Sequence, residues 1–400
     1  MSVFFRQKFV RIAVGAALAV LMIFGLAMMG SVLGAKPKAL PVVLAVLDQP
    51  ADLPGGGQLA VGKMVQEKVE GLAQLPVKWI RADSEEAALA ALDRQEAYGA
   101  LVIPADFSAG VMSLAGPEPK TAKVKLYMNE GMNAQGVSAV RTILQQVAQN
   151  VGTELSKQAL QMVGQQTEQI PVGKVQALLA PFQVEEASVH AVGSGNGNGS
   201  APVMLTQIAW MGSLIMSVFL FLAGQGARRA GGAWGAAAGQ TIAGLALAAG
   251  VSGFLVWMAH SWYGMEMADI GAVWLFLWLA AAAFFLMQSA LFNWLGIPAV
   301  ALLVLLLFFS LPILSLAPEF LPQVTQDWLY SWTPFRYVAS GLRSLMYFGG
   351  DSGMSLPYGV LWGIAGVSLV VLLASALRPD KARVAKTAEL AAATVPAKQG

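Results

Sequence analysis

Residues 272–292 read AVWLFLWLAAAAFFLMQSALF, and this stretch decides the fold. Its 21 residues pass without an Asp, Glu, Lys or Arg, and a helix of that length rises ~30 Å, the thickness of a bilayer's hydrocarbon core. Five further stretches match it: Ile12–Leu33, Val203–Ala223, Gly232–Ala259, Pro298–Leu316 and Tyr358–Leu377. None has a charged residue in its interior. A charge at mid-bilayer costs roughly 2.5–3.5 kcal/mol on insertion scales, so six charge-free stretches have the signature of lipid-spanning helices.

The spacing is uneven. One segment is followed by about 165 mostly polar residues, then five segments crowd between Pro202 and Leu377. The expected fold is an α-helical polytopic membrane protein with six transmembrane helices in a 1+5 arrangement. A large extracytoplasmic α/β domain lies between helices 1 and 2. Residues 1–35 form a cytoplasmic N-terminus and the first helix, and 36–200 the α/β domain. Residues 201–377 form the five-helix bundle with an aromatic outer loop at 317–356, and 378–400 a basic cytoplasmic tail.

Charge sets the orientation. Arg6, Lys8 and Arg11 precede the first segment, Arg228 and Arg229 follow the second, and Arg378, Lys381, Arg383, Lys386 and Lys398 follow the last. Only Asp380 and Glu389 accompany these ten basic residues, although the whole chain is just +2. By the positive-inside rule those three segments are cytoplasmic, which places residues 36–200 outside the cytoplasm. Val32–Ala35 would be tolerated as a signal-peptide cleavage site, but the apolar run is longer than a typical signal sequence. The chain has no cysteine, which excludes disulfides, thiol catalysis and thiolate metal sites.

Within 36–200, apolar runs at Leu40–Leu47, Val77–Arg81, Tyr98–Ile103 and Ala122–Met128 read as strands alternating with helices, an α/β layer. From Gly136 to about Gln165, Val137, Val140, Leu144, Val147, Val151, Leu155, Ala159 and Met162 recur on one stripe of a long amphipathic helix. That stripe either covers the sheet or makes a coiled-coil seam. Val192–Ser200 (VGSGNGNGS) reads as a flexible linker.

Signals for chemistry are weak. Gly57–Met64 nearly spells a phosphate-binding loop, but Met64 stands where Mg²⁺ would need a hydroxyl. His190 and His260 are isolated in sequence, and Glu85-Glu86 and Glu185-Glu186 read as solvated faces. No catalytic residue, metal site, cofactor or nucleic-acid partner is expected, and with no Walker motif the chain is no ATPase. The spans lack the buried acids of an ion-driven carrier, so transport would draw on ATP only through a separate subunit. Gly231, Gly235, Gly239 and Ala243 form a small-residue stripe for helix packing, inside the bundle or between subunits. The loop 317–356 is strongly aromatic, and its helical part from Pro334 to Phe348 belongs at the interface or dips into the membrane. Arg336 and Arg343 would there meet lipid headgroups or cap a path.

Several of these residues resemble the YhgE/Pip (phage infection protein) family. The likeness lies in Leu47-Asp48, Gly62-Lys63, Trp79, and the run Tyr98–Ser108 with Ile103, Pro104, Phe107 and Ser108. Tyr127-Met-Asn129, Asn133 and Gly199-Ser-Ala201-Pro202 with Trp210 and Gly212 continue it. Pro318–Pro322, Pro334-Phe-Arg336-Tyr337 and Gly341-Leu-Arg343 are similar to a signature of type-2 ABC exporter permeases. The resemblance spans about residues 12 to 377. It implies an exporter's membrane subunit, a homodimer or paired permease, working with a separate cytoplasmic ABC ATPase, and fixes no substrate; the few polar groups in the spans point to a hydrophobic or amphipathic one. Arg228 and Arg229 are the candidate ATPase contact. The alternative is a non-transporting scaffold or receptor that binds a partner through its outer domain.

Overall fold

The computed structural model describes residues 36–52, 57–71, 75–114, 120–164, 175, 178–229, 232–350 and 352–378. The first apolar segment Ile12–Leu33, Gly231 and the tail beyond Arg378 lie outside them. Two compact units emerge. One runs to Ser200 and includes Ser315–Ser331; the other comprises Ala201–Leu314 and the chain from Trp332.

The first unit is built on β1 (Leu40–Val46), β4 (Val77–Ala82), β5 (Gly99–Ile103), β6 (Ala122–Asn129) and β7 (Phe182–Val189), with a minor ribbon of β2 (Ala51–Asp52) and β3 (Gln58–Leu59). The sheet order is β4-β1-β5-β6-β7. β1 pairs in parallel with both β4 and β5, β5 with β6 is antiparallel, and β6 with β7 is parallel. Central β1 and β5 are apolar throughout because both faces are covered. Helix α2 (Glu85–Asp93) covers the face carrying Val43, Ala45, Ala100 and Val102. On the other face, Leu40, Val42, Leu44, Leu101 and Ile103 meet α1 (Val61–Gly71), α3 (Phe107–Ser113) and α4 (Ala134–Gly164).

Local chemistry fixes these helices. Ser84 Oγ accepts the Ala87 N–H at 3.0 Å as the α2 cap, and Asn133 Oδ1 takes the N–H groups of Gln135 and Gly136. The α4 stripe Val137, Val140, Leu144, Val147, Val151 and Leu155 is buried against the sheet, so that helix covers it. Strand β7 has no counterpart among the expected strands. Between its ends it is exposed, and its register is marked by polar pairs such as Lys123 Nζ to Glu185 Oε1 at 2.6 Å.

The expected linker Val192–Ser200 is built largely of hydrogen-bonded turns. Gly193 to Ser200 is a chain of tight turns: Asn196 N–H donates to Gly193 O, Gly199 N–H to Asn196 O, and Ser200 N–H to Gly197 O. Gly197 and Gly199 supply the positive φ these turns require, and Asn196 is buried.

His190 is also less isolated than its sequence position implies. Its Nδ1 lies 3.0 Å from Asn129 Oδ1 and its Nε2 3.2 Å from Asp93 Oδ1. Burial holds its pKa below the ordinary 6.5, with Asp93 opposing. A folded pKa below the unfolded one means that the unfolded chain binds protons first, so stability is complete above about 6.5 and drains as pH falls through the folded value. Glu85 is held low by the Lys125 ammonium and then by the Tyr127 hydroxyl, and loses its contribution below its ordinary 4.5. We therefore expect the protease resistance of this domain in the intact protein to fall in two stages on acidification. His190→Asn should erase the upper stage; an unchanged profile would assign that stage to another group.

The second unit holds four helices long and apolar enough to cross a membrane: α5 (Ala201–Arg229), α6 (Ala233–Ser261), α7 (Ile270–Leu295), and α10 (Ser355–Ala374) continued by a turn to Leu377. α8 (Ala299–Ser315) is shorter, at 17 residues. α9 (Pro334–Tyr347) is the helical part of the aromatic loop. α7 is the hub, packed on α5, α6 and α10 and buried at Phe276, Phe284, Phe285 and Phe292.

Candidate functional site

Helix α9 is the most unusual element of the bundle. Pro334 opens it at a position where its missing N–H costs nothing. Just before it, the Thr333 hydroxyl meets Ser310 Oγ of α8 at 2.9 Å, both buried. Phe335 inserts beside Trp210 of α5 and Phe284 of α7, with ring centroids 4.5 and 5.6 Å away. Six residues on, Gly341 lies so close to the Phe276 ring that a Cβ would come within 2.2 Å of it. At the far end Gly350 N–H returns to Ser344 O, and Ser344 Oγ donates to Ser352 O.

These contacts set its depth. Phe284 lies 14 residues after Ile270, ~21 Å along α7, and Phe276 only ~9 Å along it. Ser310 is 11 residues into α8, ~17 Å from its start. α9 therefore begins near the middle of the bundle and rises toward the end where α7 starts. It re-enters the bundle rather than lying across its surface.

On this re-entrant helix Arg336, Ser340, Arg343 and Tyr347 follow at four-, three- and four-residue steps, one stripe, each half-buried. The opposite face, with Phe335, Val338, Ala339 and Leu342, is buried. The Arg336 guanidinium stacks 4.3 Å from the Tyr337 ring centroid and donates to its hydroxyl at 2.5 Å. Arg343 Nε and Tyr347 OH are buried with no hydrogen-bond partner, and Arg343 has no ion pair among the described residues. Cationic groups at membrane depth are costly and mark sites by default. Pro334, Arg336, Tyr337 and Arg343, singled out from sequence, thus share one helix. Tyr347 joins them through the four-residue step from Arg343.

The other candidates separate. Arg228 donates to Ser375 O at 3.2 Å and Ser375 Oγ at 2.7 Å, locking the end of α5 to the end of α10, whereas Arg229 is exposed. At the same end Arg378 donates to Trp294 O at 2.9 Å and lies 4.9 Å from the Trp294 ring. Among the described residues, nothing packs on the Gly235/Gly239 stripe. Both glycines are exposed with open space beside them, and the close approach to α7 falls one residue past Ala243, at Gly244. The buried face of α6 runs through Ala237, Gln240, Thr241, Gly244 and Ala248 because Gln240 joins the polar seam of α7. There Asn293 Nδ2 donates to Gln240 Oε1 at 3.1 Å, while Gln288 donates to Trp210 O and meets Ser217.

In the α/β domain the motif residues converge on one clamp. Asp48 follows β1 and accepts the Gly62 N–H (2.7 Å), the Ser108 N–H (2.7 Å) and the Ser108 hydroxyl (2.6 Å). Ser108 Oγ in turn accepts the Val61 N–H at 2.8 Å. One carboxylate thus meets the N-termini of α1 and α3. It does so at the C-terminal edge between β1 and β5, where a sheet of order β4-β1-β5 reverses direction and ligands commonly bind. Phe107 is buried beneath it, 5.6 Å from Phe182. The segment resembling a phosphate loop is thereby closed: the Gly62 N–H an anion would need already binds Asp48. Ile103 and Pro104 bring the chain out of β5, zipped to the Asp48 loop by Leu47 N–H to Ile103 O and Gln49 N–H to Ala105 O.

Membrane-length helices packed with a re-entrant amphipathic helix define a polytopic membrane protein, and its described residues hold no cluster of metal-binding side chains. The chain belongs to the ABC-2 family transporter proteins, whose family model matches residues 12–377. Members are membrane components of ABC transporters, paired with an ABC ATPase and not themselves catalytic. No curated protein and no solved structure matches the chain.

Proposed function

We propose that this chain is the permease half of an exporter that moves a hydrophobic or amphipathic substrate, of the YhgE/Pip type. The reading has six spans in a 1+5 arrangement, both termini cytoplasmic, and residues 36–200 outside a bacterial cytoplasmic membrane. Two permease subunits, identical or paired, enclose the path, and the exposed Gly235/Gly239 face offers a close-approach surface between them. The observation that carries the reading is α9: a helix that re-enters the bundle and carries arginines at that depth, on the face turned from the packed core, suits a path far better than an anchor. Of the candidate pair Arg228 and Arg229, Arg228 is occupied within the bundle, so Arg229 is the one left to contact the ATPase.

Gentle purification followed by mass spectrometry tests this. A stoichiometric ABC ATPase is expected. Arg229→Glu should reduce its recovery roughly tenfold at unchanged permease yield, whereas Arg228→Glu should lower the thermal stability of the bundle. Absence of any ATPase in several mild detergents would overturn the exporter reading.

A further inference from the structure

We infer that the α9 stripe binds the anionic headgroup of an amphiphile, so the substrate is an anionic amphiphile rather than a neutral or cationic one. The inference rests on the permease reading for calling that ligand a substrate; the binding site itself stands on α9.

Three observations carry it. Arg343 presents a buried Nε–H with no acceptor and no ion pair among the described residues, and Tyr347, one turn on, presents a buried hydroxyl that is likewise unmet. A buried donor without an acceptor costs the full desolvation of that group, and for a guanidinium the cost is larger. Second, carboxylates are scarce. In the second unit Glu266 and Asp269 are the only acids among the described residues, and Asp269 Oδ1 already caps α7 through Ala272 N–H at 3.0 Å. Third, the stripe has length. Arg336 and Arg343 are seven residues apart, ~10 Å along the helix, with Ser340 between them. An anionic group could pass from one cation to the other while an apolar tail stays in the bundle or the lipid.

The geometry suits phosphate or carboxylate. A guanidinium and a phenol hydroxyl one turn apart supply several donors to one group of oxygens, and arginine recognises such groups through paired N–H donors. A cationic headgroup would meet two positive charges; a sugar would bring the Arg343 guanidinium no counter-charge.

The test uses the purified full-length protein in neutral detergent, with dodecyl phosphate as the probe and dodecyltrimethylammonium and inorganic phosphate as comparisons. Binding is read by tryptophan fluorescence or native mass spectrometry. Dodecyl phosphate should bind at least tenfold tighter than either comparison. Arg343→Gln should erase that preference, Arg343→Lys should keep only the part that charge alone supplies, and Arg94→Gln, at an exposed surface position, should leave it unchanged. Equal binding of the anionic and cationic amphiphiles, or an intact preference in a folded Arg343→Gln, would overturn the inference. Inorganic phosphate binding as tightly as the amphiphile would also overturn it, reducing the site to a free-anion site. If Arg343→Gln does not fold, the headgroup comparison on the native protein decides alone. Because no ATPase enters this assay, a failed co-purification and a failed headgroup preference are separate results.

Discussion

Asp48→Ala is expected to cost the α/β domain about 4 kcal/mol, among the largest effects of any polar substitution in the chain. The side chain accepts three hydrogen bonds, two from backbone N–H groups at the starts of α1 and α3 and one from the Ser108 hydroxyl. A hydrogen bond to a charged group contributes about 1.5–3 kcal/mol, and the carboxylate also meets the positive ends of two helices. Alanine leaves those donors without a partner. It also frees the Ser108 hydroxyl, which itself receives the Val61 N–H. Asp48→Asn keeps one acceptor and should fall between wild type and alanine. Ser108→Ala loses one arm and should cost about 1–2 kcal/mol. Gly62→Ala attacks the same clamp by bulk, since its Cβ would lie 2.4 Å from Asp48 Cβ. Urea titration read by pulse proteolysis of the domain in the intact protein supplies the numbers. A loss under 1 kcal/mol for Asp48→Ala would mean that water replaces the carboxylate at little cost, and the clamp would then not stabilise the fold.

The clamp also shows what could be read from sequence and what could not. Asp48, Gly62 and Ser108 were visible as separate motif pieces, but they are 14 and 60 residues from one another's partner. Nothing local reveals that one carboxylate joins them; the β1–β5 pairing does. The membrane-length helices in the bundle were legible because length and the absence of charge suffice, and packing adds only the exact ends, such as the extension of α6 to Ser261. Strand β7 was not legible, because an edge strand exposed between its ends shows neither alternation nor an apolar run. The helical character of Pro334–Phe348 was plain, yet its depth was hidden. That depth depends on Thr333 meeting Ser310 and on Gly341 admitting the Phe276 ring, pairings between residues whose types have many other uses. Arg336 and Arg343 were therefore legible as two cations on one helical segment before its depth gave them meaning.

The small residues of α6 carry the second large effect, and they separate two roles that sequence alone merged. Gly244 sits against Phe285 of α7, where a Cβ would come within 2.0 Å of the ring. Phe285 is fully buried in the hub helix, so it cannot swing toward lipid to make room. Gly244→Leu must push α6 away from α7, disturbing the Gln240–Asn293 pair on the same face. Overpacking of a buried site typically costs 1–3 kcal/mol, and breaking the polar pair adds to it, so about 3–4 kcal/mol is expected. Gly239→Leu, five residues earlier and facing open space, should leave the thermal stability of the isolated subunit within about 0.5 kcal/mol. The contrast is sharpest when oligomeric state is measured on the same two samples. Gly244→Leu should lower stability in dilute detergent, where only one subunit is present. Gly239→Leu should change nothing there but should dissociate a paired permease if the exposed stripe is where two subunits meet. Equal stability of the two variants would place the α6–α7 contact elsewhere. Retention of the pair in Gly239→Leu would remove this face from the subunit interface while leaving the bundle's internal packing as described.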